Sequence, residues 1–210
     1  MRELRPSVLP TERGERLTNA EYQRDFAERD AAIHNGDSWK LERLQHFEEQ
    51  DDQSWDALLR GDWQEALRLN EDARGALREA ALDDERRGSI FHRVRVVEEP
   101  LTPYVQWELH YLRMAAEYGQ RVRVLPVAAV AAAETGGLLP ELTILDERTL
   151  YRVLYTDAGV PDGAIRYTDP GVVGPWAAYV RELYAAGEDL ASYFDRAVAP
   201  LPPPVLSRAE

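Results

Sequence analysis

From Thr18 onward the apolar positions first recur at a helical period. Thr18 and Asn19 precede Glu21, and Tyr22, Phe26 and Ile33 follow in a segment running to about His34. That pattern predicts a capped helix, ended by Asn35-Gly36-Asp37. Between Ser38 and Phe47 the period changes to two, with Trp39, Leu41 and Arg43 on one face and Lys40, Glu42, Leu44 and His46 on the other, which predicts a strand. From Asp51 to Arg87 the helical period returns at Trp55, Leu58 and Leu59, then Trp63 and Leu67, then Leu77, Ala80 and Ala81. Gly61-Asp62 breaks the first of these helices from the second.

Beyond Gly88-Ser89 strands and helices alternate. Ile90 to Val97 is rich in β-branched residues and predicts a strand. Thr102-Pro103 is an N-cap followed by proline at the first helical position, and its helix runs to Glu117, closed by Tyr118-Gly119. Short strands are expected at Arg121 to Leu125, Leu142 to Leu145, Thr149 to Thr156 and Ala164 to Tyr167, with Val127 to Ala133 ambiguous. Asp169-Pro170 opens a final helix over Val172 to Ala197.

The fold class implied is α/β, with α+β as the alternative: an N-terminal helical segment packed on a mixed, partly parallel sheet covered by helices. Four pieces are expected: a mobile arm at 1–16, a mainly helical subdomain at 17–88 with one strand near 38–47, an α/β subdomain at 89–198, and an extended Pro-rich tail at 199–210. A chain of 210 residues is long enough to bury about 70% of its unfolded surface without staples.

Composition narrows the chemistry. The absence of cysteine removes disulfides, thiolate metal sites and cysteine nucleophiles. No apolar run reaches the length of a membrane span, and Met1 to Pro6 lacks the apolar core of a secretory signal, so a cytoplasmic protein without membrane attachment is expected. The net charge is -13, made of +1 over residues 1–20, -9 over 21–89 and -5 over 90–210. Acid excess of that kind disfavours direct nucleic-acid binding. Only Lys40 is a lysine, the other 24 basic residues being arginine.

One constellation stands out. On a wheel of about 100° per residue, Trp107, Tyr111, Met114 and Tyr118 lie within about 80° of Tyr104, while Val105, Leu109, Leu112 and Ala116 form a second apolar stripe. Glu108 falls between the stripes, where a carboxylate must be protonated or paired with a cation. The preceding strand sets Arg93 and Arg95 on one face and His92 on the other, and the next strand adds Arg121 and Arg123. These residues define the candidate site: Arg93, Arg95, Arg121, Arg123, Tyr104, Trp107 and Glu108 for a small anionic ligand, with Glu108 and His92 as candidates for catalysis. The competing reading has the arginines paired internally with Glu108, Asp146 and Asp157, or simply reaching solvent at the sheet edges. The four histidines show no metal-binding spacing, no phosphate-cradling glycine loop or nucleophile elbow occurs, and neither a metal nor a cofactor is expected.

The run Phe91-His92-Arg93-Val94-Arg95-Val96-Val97-Glu98-Glu99-Pro100-Leu101-Thr102-Pro103, continuing to Leu109, resembles an uncharacterised actinobacterial family, domain of unknown function 6879. The likeness continues at 119–125, 142–148 and 169–173, with Trp39-Lys40-Leu41-Glu42 upstream, and spans most of residues 18–196. The resemblance carries no activity; it implies a regulatory accessory role beside helix-turn-helix regulators. The C-terminal half is also similar to phospholipase D-like sensor domains, but His92 is followed by Arg93 and Val94, so that superfamily's His-x-Lys pair is missing. The expectation is a non-catalytic regulatory or signalling accessory protein that binds a partner protein, such as a helix-turn-helix regulator, or a small anionic ligand. The alternative is an enzyme acting on a phosphate- or carboxylate-bearing small molecule with Glu108 as acid or base.

Overall fold

The computed structural model describes residues 8–206. Its strands are β1 (Glu15–Leu17), β2 (Asp37–Glu42), β3 (Ile90–Val97), β4 (Arg121–Pro126), β5 (Leu142–Leu145), β6 (Thr149–Tyr155), β7 (Pro161–Tyr167) and β8 (Glu188–Asp189). They form one sheet in the order β1-β7-β6-β5-β2-β3-β4-β8. β2, β3 and β4 run parallel, and every other pairing is antiparallel. The chain is α/β, and the parallel centre follows from its two helical crossovers. The first comprises α2 (Gln53–Leu59), α3 (Trp63–Asp72) and α4 (Arg74–Arg87); the second is α5 (Pro103–Glu117).

Alternate residues of the central strands divide between two cores. Trp39, Leu41, Val94 and Val96 meet Val173, Trp176, Ala177 and Val180 of α6 (Pro170–Ala186) on one face. On the other face Val97, Val122 and Val124 meet Val105, Leu109 and Leu112 of α5 and Trp55 and Leu58 of α2. Each large apolar side chain so buried contributes about 1.5–3 kcal/mol. Tyr22 and Phe26 of α1 (Asn19–Ala31) cover Leu145, Tyr151 and Ala164 on that same second face. Thr18 caps α1 in a capping box with Glu21.

Several boundaries differ from the sequence reading. The arm expected at 1–16 contains the first two residues of β1, which pairs with β7, and Leu9 is buried in the α6 core; its residues 1–7 lie outside the described residues. Gly163, at φ +75, lets β1 approach, because a Cβ there would sit 2.2 Å from the Leu17 carbonyl oxygen. The division expected at 88/89 does not divide the sheet, since β2 lies between β3 and β5. The strand expected over 38–47 ends at Glu42, because the Arg43 and Leu44 amides turn to the Glu141 carboxylate. The single helix expected over 172–197 is interrupted: Glu188 and Asp189 pair with Val124 and Arg123, after which α7 (Leu190–Tyr193) leads into a π-helical turn over Phe194–Val198. Gly187 allows that interruption, a Cβ there lying 2.7 Å from the Arg123 side chain. Residues 201–206 of the tail form no helix or strand; Gln106 of α5 donates to the Pro202 carbonyl and Leu206 packs against the α5 core, while 207–210 lie outside the described residues.

Candidate functional site

The face of the sheet under α5 carries charge in its interior. β2 sends Lys40 and Glu42 there, and the parallel register sets Arg93 beside Lys40 and Arg95 beside Glu42. Glu42 Oε1 accepts from Arg93 Nη1 at 2.6 Å and also takes Lys40. Arg95 has no exposed surface. Its Nε donates to Glu108 Oε2 at 2.7 Å and its Nη1 to the carbonyls of Leu44 and Val96. Glu141, at the start of β5, accepts the Arg43 and Leu44 amides on one oxygen at 2.7 and 2.6 Å.

The carboxylates respond differently to this setting. Burial would raise Glu42, but Arg93, Lys40 and Arg95 outweigh it and hold its carboxyl well below the usual range. Burial raises Glu108, helped by the Glu42 charge, and Arg95 only partly offsets it. Burial and the Glu42 charge push Glu141 up to about 7. Burial works against the charge on Arg95, yet Glu108 and Glu42 keep it firmly cationic.

Over this cluster lies a cavity of about 320 Å³. Its floor is Lys40, Glu42 and Arg93; one wall is Tyr104, Trp107, Glu108 and Tyr111, which the helical spacing of α5 places on one side. Asn70, near the end of α3, closes one end, and Phe47, Tyr155 and Pro161 another. Leu112, Glu48, Glu49 and Asp52 complete the lining. Ser54 fixes the wall, accepting from Trp107 Nε1 at 2.8 Å and donating to the Ala66 carbonyl. Three of the lining residues each have a buried polar atom without a hydrogen-bond partner among the described residues: Glu42 Oε2, Arg93 Nε and Asn70 Nδ2. The Glu42 side chain is 3% exposed and Asn70 is 7% exposed, so solvent offers them little compensation.

Of the residues singled out from the sequence, Arg93, Tyr104, Trp107 and Glu108 line the cavity, and Arg95 stands directly behind Glu108. Arg121 and Arg123 do not join them. The register pairs Arg121 with His92 and Arg123 with Val94, which places both on the opposite, α6 face; Arg123 lies 5.6 Å from the Tyr184 ring centroid there. His92 is likewise remote from Glu108. It stacks on Trp39 at 4.1 Å, its Nε2 contacts Asp37 Oδ1 at 2.8 Å, and burial lowers its pKa. Among the described residues no three His, Asp or Glu side chains form a group that could hold a metal ion, and no helix is long and apolar enough to cross a membrane.

A family model described as a domain of unknown function, DUF6879, matches residues 24–195. The chain belongs to that family. The matched span contains every residue of the cavity, so the site is part of the DUF6879 domain itself. No curated protein matches the chain.

Within this DUF6879 chain, the residues that the sequence reading left out of the site include Lys40, Glu42, Asn70, Tyr111 and the carboxylates Glu48, Glu49 and Asp52 of the cavity, and Glu141 of the adjoining charge cluster. Lys40 and Glu42 did carry a signal, being charged residues on one face of a strand whose other face is Trp39 and Leu41. Asn70 carried none, because its role depends on how α3 docks against α5.

Proposed function

We propose that the chain is a non-catalytic protein that binds a small polar molecule in the cavity over Glu42. The observation that carries this reading is one cavity lined by three residues that each have a buried polar atom without a partner among the described residues: an acceptor, Glu42 Oε2, and two donors, Arg93 Nε and Asn70 Nδ2. Leaving such groups unmade costs about 1–3 kcal/mol each, a loss that a ligand with matching groups recovers. The cavity volume lies at the small end of the range for ligand sites, which fits a metabolite-sized occupant.

The regulatory setting, with a helix-turn-helix protein as partner and the cytoplasm as location, is supported by the family resemblance and by the lack of cysteine. A distant phospholipase D-like ancestry fits only as a non-catalytic one, because His92 lies on the face away from the cavity.

The second reading is an enzyme in which Glu108 acts as acid or base. It is favoured by one observation: Glu108 lines the cavity with its carboxyl raised by burial. Thermal unfolding in the presence of small polar metabolites tests the first reading. Binding without turnover raises the melting temperature, and Tyr111→Ala abolishes the rise. Chemical conversion of a stabilising compound that stops in Glu108→Gln establishes the enzyme instead.

A further inference from the structure

We infer that the occupant of this cavity is a small organic cation, with an ammonium or guanidinium group beside a neutral hydrogen-bond acceptor. The inference rests on the binding reading above and names the class of ligand. Five carboxylates line the cavity, Glu42, Glu48, Glu49, Asp52 and Glu108, against two cations, Lys40 and Arg93. Both cations already share Glu42 Oε1. Arg95, behind the wall, donates from Nε to Glu108 and from Nη1 to two backbone carbonyls, while its buried Nη2 has no partner among the described residues. An anion would therefore meet cations whose charge Glu42 and Glu108 already balance.

A cation meets no such obstacle. Among the described residues Glu49 takes only the Tyr104 hydroxyl, Asp52 only the Trp55 amide, and Glu48 the Trp55 indole, with the His46 imidazole 3.7 Å away. The hydroxyl, amide and indole are neutral donors that leave the carboxylate charge in place, and a concave wall focuses it. Glu42 Oε2 offers a buried acceptor for an N–H donor. Phe47, Tyr104, Trp107, Tyr111 and Tyr155 line the same space, and an aromatic ring attracts a cation placed over its face within about 6 Å. The unpartnered donors at Arg93 Nε and Asn70 Nδ2 call for a carbonyl or hydroxyl oxygen on the same molecule.

Calorimetric titration of the full chain with L-argininamide and choline, and with citrate and inorganic phosphate, tests the inference. One of the two cations is expected to bind with one-to-one stoichiometry, more weakly as salt rises. The triple variant Glu48→Gln, Glu49→Gln, Asp52→Asn keeps the acceptors and the helix cap while removing three charges. It is expected to weaken that binding by about tenfold or more. Cation binding that the triple variant leaves unchanged overturns the inference. Binding of citrate or phosphate but of neither cation overturns the ligand class and leaves the binding site standing. No saturable binding of any of the four at up to roughly 10 mM contradicts both.

Discussion

Arg95 on β3 and Glu108 on α5 meet inside the protein, Nε to Oε2 at 2.7 Å, with Arg95 wholly shielded from solvent. The pair joins the central sheet to the crossover helix that forms the cavity wall. Removing one member leaves a buried charge without its partner, which costs about 3–5 kcal/mol. Arg95→Met and Glu108→Leu are each expected to lower the urea midpoint by that order. The double variant Arg95→Met, Glu108→Leu is expected to be more stable than either, since it buries no orphaned charge. Urea unfolding of the four proteins measures this, and additive losses would contradict it.

Glu141 makes stability fall as pH rises. Its carboxyl moves from 4.5 to about 7 on folding, chiefly through burial. Between those values the folded protein holds a proton that the unfolded chain has released, so each step up in pH weakens the fold. The loss is complete above about 7 and is on the order of 3 kcal/mol. Glu141→Gln keeps an oxygen for the Arg43 and Leu44 amides but cannot titrate. Denaturant unfolding at pH 5 and pH 8 is expected to show a smaller decline in the variant than in the wild type.

Asn70 separates binding from stability. Its Nδ2 is buried without a partner among the described residues, so truncating it breaks no hydrogen bond of that amide among them. Asn70→Ala is expected to shift stability by less than about 0.5 kcal/mol while abolishing ligand-induced stabilisation. A structural asparagine would behave in the opposite way, losing stability first. Thermal unfolding with and without ligand reads both quantities.

Much of this architecture was legible in local sequence. β3 and α5 carry strong periodicity and a Thr102-Pro103 cap, and both fall where the pattern places them. Glu108 was legible too, because a carboxylate between two apolar stripes must find a partner. What failed was long-range register. Arg121 and Arg123 alternate like Arg93 and Arg95, but only the pairing of β4 with β3 decides which face they take. The break at Gly187 was hidden because a two-residue strand is too short to alter a helical period. Asn70 reaches the cavity only through the packing of α3 on α5, secured in part through Ser54 of α2, which accepts from Trp107 of α5 and donates to the Ala66 carbonyl of α3.

The central claim is that the cavity over Glu42 takes a small molecule, and the single lysine offers the most direct test. Lys40 lines the cavity and is the chain's sole lysine. Reductive methylation with ¹³C therefore labels Lys40 and the N-terminal amine alone, and dimethylation keeps the positive charge. Titration with L-argininamide, choline, citrate or phosphate is expected to move the Lys40 methyl resonance saturably with at least one of them, while the N-terminal resonance stays still and Asn70→Ala suppresses the change. A Lys40 resonance unmoved by all four, or moving only in step with the N-terminal one, contradicts the claim.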